Sequence, residues 1–349
     1  MSTISTLNPA LRLRLPSNSG GLLALLAALV LFFSLLLPER FPTFGTAQSM
    51  MFQLPELGIL ALAMVIPLIS GGLNLAIIAT ANQCALLMAW IMHSYIPASA
   101  GTTETALIVT LALLAGLVLC TVIGLITGFL VASMGVHPIL VTLGTKSVID
   151  GISIWLTRGT VVSGLPDSFQ WLGNGVVLGI PVAFLILILT AVAVGAILSR
   201  TSFGIGVYML GSNLEATRYS GIDTRRVLIG VYTLSSVLCF VAACLMLARF
   251  NSASAGYAQS YLLITILAAV LGGIDPFGGF GRISGLMLAL VVLQVLSSGC
   301  NLLGLSQHLT LAVWGLTLIV VMGVKFLIAP RLAERWSTAQ RHTEQGRLK

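Results

Sequence analysis

The chain has 349 residues, of which 57% are apolar and only 8% charged, against roughly 25% charged in a soluble domain. So few charges cannot cover a water-soluble globule, and the same figures exclude intrinsic disorder, a collagen-like fibre and a disulfide-rich secreted domain. The net charge of +7 sits in short loops and tails between apolar runs, a pattern that orients membrane helices rather than one that binds nucleic acid.

Arg12 and Arg14 precede a first apolar run, Leu22 to Leu37, that mimics a signal peptide. Pro38-Glu39-Arg40-Phe41 follows without a small-residue cleavage site, so the run reads as a retained span. A membrane helix needs about 20 apolar residues. By that measure the predicted spans are 21–38, 57–73, 75–93, 105–133, 138–156, 175–199, 227–249, 261–273, 284–300 and 309–327. The fold class is therefore an all-α polytopic membrane protein with about ten transmembrane helices. A tail, 1–20, leads into one transmembrane domain, 21–327, and a second tail, 328–349, follows. Thirteen Lys and Arg residues fall on the side of both termini, and only Arg40, Arg158 and Arg249 on the other. That bias places the N- and C-termini in the cytoplasm.

Two interruptions stand out along the chain. Ser70-Gly71-Gly72-Leu73-Asn74 breaks the uncharged stretch after Glu56, and Gly272-Gly273-Ile274-Asp275 begins a longer break that runs through Gly278-Gly279-Phe280-Gly281. Both read Gly-Gly-(Leu/Ile)-(Asn/Asp), which fits two related halves with Gly-interrupted helices around a central path. Two ordinary helix hairpins with glycine turns fit the spacing equally well. The polar residues Asn74, Asn82, Gln83 and Gln294 are candidates to line such a path, since each amide both donates and accepts, or else to hold helices together. Lys146 and Asp150, four apart on one helical face, form an intramembrane ion pair that serves either as a relay or as a packing lock.

Catalytic and metal sites find no support. The five cysteines lie in or beside apolar runs without metal spacing, and no histidine has an acid and a nucleophile beside it in sequence. Gly144-Thr145-Lys146-Ser147 imitates a phosphate loop, but Ile139 stands where its first glycine belongs. The chain is thus not an enzyme, and it binds no cofactor or metal of its own.

The insertion 200–226 is the most informative loop. Ser212 or Asn213 can cap a short helix, Glu215 suits its first turn and Arg218 its last, and Gly221 can end it. A helix of about two turns outside the membrane needs something to dock on. Asp223 or Thr224 can cap the span that follows.

The stretch Gly211-Ser212-Asn213-Leu214-Glu215-Ala216-Thr217-Arg218-Tyr219-Ser220-Gly221-Ile222 resembles the cytoplasmic loop of the ribose-type sugar permeases of ABC importers. His137-Pro138-Ile139-Leu140-Val141-Thr142-Leu143-Gly144-Thr145 is similar to that family's segment ending in Thr-Leu-Gly, and the 272–281 run to its late glycine-rich loop. The resemblance covers about 55–327, with the three segments in the family's order. It implies the membrane subunit of a bacterial inner-membrane importer, working with an ABC ATPase subunit that uses ATP, a periplasmic solute-binding protein and a second permease subunit, identical or paralogous. Residues 211–222 then correspond to the helix that couples to the ATPase, with Gly211, Asn213, Glu215, Ala216, Arg218, Ser220 and Gly221 on the matching positions. The chain departs from the pattern at Asn74-Leu75-Ala76-Ile77-Ile78, where the family has Asp-Leu-Ser-Val-Gly, and at Asp275, where it has serine. The implied cargo is a monosaccharide or related polyol. The rival reading is an ion-coupled secondary transporter of a small polar solute, which calls for more intramembrane acids than Asp150 and no docking loop.

Overall fold

The computed structural model describes residues 17–97, 101–306, 308–317, 319–320 and 323. The expected tails therefore fall mostly, and the last expected span partly, outside the described residues. The helices in chain order are α1 (Ser17–Leu36), α2 (Phe44–Ile69), α3 (Ile77–Tyr95), α4 (Thr102–Met134), α5 (Pro138–Thr157), α6 (Asp167–Asn174), α7 (Val182–Arg200), α8 (Ser202–Ser212), α9 (Leu214–Tyr219), α10 (Thr224–Phe250), α11 (Tyr261–Leu271) and α12 (Ile283–Leu302). Among the described residues seven are long and apolar enough to cross a membrane: α2, α3, α4, α5, α7, α10 and α12. The chain is a mostly helical, multi-pass membrane protein.

The expected spans shift where local chemistry overrides hydropathy. α2 begins thirteen residues before the expected position 57, because Thr43 caps it: the Thr43 hydroxyl accepts the Thr46 N–H at 3.2 Å. Glu56, which reads as a border in sequence, lies inside this helix. α2 is then about 39 Å long, enough to cross roughly 30 Å of hydrocarbon alone. α3 is also long enough to cross. The 70–76 break therefore joins two helices that are each long enough to cross. Span 175–199 starts later than expected, at Val182. The residues before it form a tight hairpin, β2 (Val176–Val177) on β3 (Ile180–Pro181), turned by Leu178 and Gly179 at positive φ. The loop 157–174 holds α6 and pairs β1 (Val162–Ser163) with β4 (Ser252–Ala253), an order the sequence pattern does not show.

Helices α10 and α2 form the centre. Ile59 through Ile66 of α2 are wholly buried, and α10 packs on α2, α3 and α4. The buried thiols of Cys84, Cys120, Cys239 and Cys244 lie within this core. Gly124 and Gly128 let α4 approach α10 closely: a Cβ on Gly128 would stand 2.8 Å from the Ile229 Cα, and one on Gly124 2.8 Å from the Thr233 Cα. Backbone cannot yield there as a side chain can. Gly128→Ile is expected to cost about 1–3 kcal/mol by overpacking and to lower the melting temperature in detergent. Gly151→Ala is the control, since a Cβ at Gly151 meets nothing within 4 Å. The outer helices α4, α5 and α7 present exposed Leu, Ile, Val and Phe, such as Leu189 and Phe129, as a lipid-facing surface requires.

A candidate coupling junction

The two Gly-Gly breaks end their helices in the same way. After α2, the Gly72 N–H donates to the Pro67 carbonyl at 2.9 Å and the Gly71 N–H to Leu68 at 3.0 Å, with Gly71 at φ +83°. After α11, the Ile274 N–H donates to Ala269 at 3.0 Å and the Gly273 N–H to Val270 at 3.1 Å, with Gly273 at φ +84°. Each is a helix stop closed by a left-handed residue, where a side chain costs about 1 kcal/mol. A side-chain turn then follows in both breaks. Asn74 Oδ1 accepts the Ala76 N–H at 3.1 Å, and Asp275 Oδ1 accepts the Phe277 N–H at 2.9 Å. The shared residues are used one position out of step, since the left-handed residue is the first glycine of one pair and the second of the other.

The three segments that carry the sequence resemblance converge on the first break. The Gly279 N–H donates to the Ile69 carbonyl at 2.8 Å, fastening the late loop to the end of α2. Gly211, where the 211–222 stretch begins, lies against both, since a Cβ on it would stand 2.0 Å from the Ile69 oxygen and 2.4 Å from the Gly279 nitrogen. Gly278 stacks on Gly71 as closely, with 2.7 Å from its built Cβ to the Gly71 Cα. From the third segment, the Thr142 hydroxyl donates to the Leu73 carbonyl at 3.1 Å, and Pro138 packs under Gly72. Tyr208 of α8 adds a tie, its hydroxyl donating to the Gly281 carbonyl at 2.8 Å. Burial pushes that phenol above its ordinary 10, against the opposing pull of Arg282, so it stays a donor at neutral pH.

The 200–226 insertion leads outward from this junction. Asn213 Oδ1 caps α9 by accepting the Ala216 N–H at 3.0 Å, and Asp223 caps α10 by accepting the Arg226 N–H at 3.2 Å. Glu215 lies in the first turn of α9 and Arg218 in its last, and Gly221 follows at φ +80°. Leu214, Glu215, Ala216, Arg218, Tyr219 and Ser220 are exposed, while Thr217 is buried toward the bundle. The insertion also holds α8, which the sequence pattern leaves out.

The candidate path residues scatter. Asn74 is buried, its amide N–H donating to the Ser235 hydroxyl at 3.0 Å. Asn82 donates to the carbonyls of Ala255 and Tyr257 at 3.0 and 2.9 Å. Gln294 donates to Gln53 and to Ser298, both at 3.2 Å. Gln83 accepts from the Ser153 hydroxyl and borders two cavities, about 670 Å³ between α4 and α5 and about 510 Å³ between α3 and α5. Lys146 and Asp150 form a half-buried ion pair at 2.7 Å along α5. Sequence reasoning missed a second pair: Arg249 at the far end of α10 meets Glu56 at 3.0 Å and also donates to the Phe52 carbonyl at 2.8 Å. The Thr43 cap is the signal that would have placed Glu56 inside a helix.

Residues 46–322 match the family described as "Branched-chain amino acid transport system / permease component". The Autoinducer 2 import system permease protein LsrD of Yersinia enterocolitica is 30% identical over 341 residues, covering 93% of this chain and 97% of that protein. The Ribose import permease protein RbsC of Bacillus subtilis is 30% identical over 267 residues, covering 76% and 80%. No solved structure matches. The chain belongs to this family of permease components, within the monosaccharide-type ABC importers that its loop motifs resemble.

Proposed function

We propose that the chain is the membrane-spanning subunit of a bacterial inner-membrane importer. It passes a monosaccharide or related polyol delivered by a periplasmic binding protein. A separate ATPase subunit docks on α9 and uses the ATP, and this chain binds no cofactor. A second permease subunit, a copy or a paralogue, completes the membrane part of the importer. Ten spans with both termini in the cytoplasm are part of the same proposal.

One observation carries the reading. The exposed helix α9 is attached, through Gly211, to backbone that touches both helix breaks. A push on α9 is thereby delivered to the ends of α2 and α11 without passing through flexible side chains. The relatives named for ribose and autoinducer 2 import support the cargo class.

Reconstitution tests it. Proteoliposomes containing the permease, its cognate ATPase and ATP, with the binding protein added, are expected to take up labelled D-ribose, and omission of either partner should stop uptake. Uptake by the permease alone, driven by an ion gradient, would overturn the proposal.

A further inference from the structure

At the end of the bundle opposite the coupling loop, a cavity of about 170 Å³ opens between α2, α10, α11, α12 and the helical segment 308–317. Gln53, Glu56, Arg249, Tyr261, Gln294 and Trp314 line it. Two of these present polar atoms with no partner. Glu56 Oε2 is buried and unbonded while Oε1 holds Arg249, and the Trp314 indole N–H is buried and unbonded. The Glu56 side chain is only 2% exposed, so bulk water does not satisfy it. A buried polar group left unpaired is costly, so two at one cavity call for an occupant.

The lining defines what that occupant is. The Glu56–Arg249 pair is neutral overall and offers no net charge to attract an ion. A carboxylate oxygen needs a donor, and an indole N–H needs an acceptor. The Gln53 and Gln294 amides, joined at 3.2 Å, add further donors and acceptors on one wall. The rings of Tyr261, Phe250 and Trp314 and the Leu57 and Leu293 side chains complete the lining. Alternating polar atoms and ring faces suit a molecule that carries both C–H and O–H surfaces. The volume equals that of five or six waters at about 30 Å³ each, which limits the ligand to a small one. Its place along α10 is also informative: from Thr224, beside the coupling loop, to Arg249 the helix runs about 37 Å, most of the membrane thickness.

We propose that this cavity is a solute subsite, on the face opposite the ATPase, that takes a small neutral polyhydroxylated molecule, with Glu56 Oε2 accepting from one hydroxyl and Trp314 Nε1 donating to another oxygen. This deepens, and rests on, the importer reading above.

The test uses two arms. In the first, the full chain in lipid nanodiscs carries Phe at Trp90, Trp155, Trp171 and Trp336, leaving Trp314 as the reporter, and is titrated with D-ribose. A saturable change in fluorescence is expected, absent with potassium chloride of equal osmolality and lost in Ser297→Leu, which fills the cavity from the α12 side. In the second, uptake by the reconstituted complex is expected to fall at least tenfold in Trp314→Phe and Ser297→Leu, with ATPase co-purification and melting temperature like the parent. Trp314→Phe removes an N–H that has no partner in the protein together with part of the ring, so a fall in uptake at parental melting temperature reports the lost ligand contact rather than lost packing. No saturable signal, together with parental uptake in Trp314→Phe, means that the cavity holds water only and overturns the subsite while the importer reading stands. Saturable D-ribose binding without ATP-driven uptake would leave the subsite standing and overturn the importer reading instead.

Discussion

Gly211→Val is expected to abolish transport even where the protein still inserts. The built Cβ overlaps the Ile69 carbonyl oxygen at 2.0 Å and the Gly279 nitrogen at 2.4 Å, and both belong to backbone. These are also the two atoms of the 2.8 Å hydrogen bond that joins the breaks, so relief of the overlap must pull that bond apart. Overpacking and the lost bond together cost about 2–4 kcal/mol. Alanine carries the same Cβ and should lose transport too. Gly144→Ala is the matched control, because its Cβ would meet nothing within 4 Å. Uptake normalised to inserted protein and melting in detergent check the expectation. Parental uptake by Gly211→Ala would show that the junction yields without consequence.

Arg249→Met should be the most damaging change at the opposite end of the bundle. It leaves the Glu56 carboxylate, 2% exposed, without its cation. Breaking a buried pair from one side costs about 3–5 kcal/mol, whereas replacing both charges by groups of similar size is often neutral. The Glu56→Gln/Arg249→Met double variant is therefore expected to recover most of the stability lost in the single one. Melting of the four proteins in one detergent gives the coupling directly. If Arg249→Met melts like the parent, water reaches the pair and screens it.

Features encoded by neighbouring residues were legible in the sequence. The caps at Asn213 and Asp223, each one of two candidates, the left-handed stop at Gly221 and the Lys146–Asp150 pair depend on residues a few positions apart, and each has the expected geometry. Hydropathy, by contrast, misplaced the start of α2. It treats Glu56 as a boundary, whereas the charge is tolerated inside because Arg249, distant in sequence, neutralises it. The convergence of 70–74, 137–145, Gly211 and 278–279 was not legible either, because hydrogen bonds between segments so far apart leave no local periodicity. Asn74 and Asn82 carry bonds between segments, and a polar residue in an apolar run has the same sequence signal whether or not it also faces a path.

The central claim is that α9 receives the ATPase and passes its motion to the glycine junction. Its most direct test is a photo-crosslinking residue at Tyr219, which is 88% exposed on α9, in the complete reconstituted complex. An adduct with the ATPase subunit is expected from Tyr219, and none from Leu189, which is 70% exposed on α7. The adduct should become weaker in Glu215→Lys, which reverses a charge on the same short helix. Adducts from Tyr219 to lipid alone, with ATP-driven uptake intact, would contradict the account.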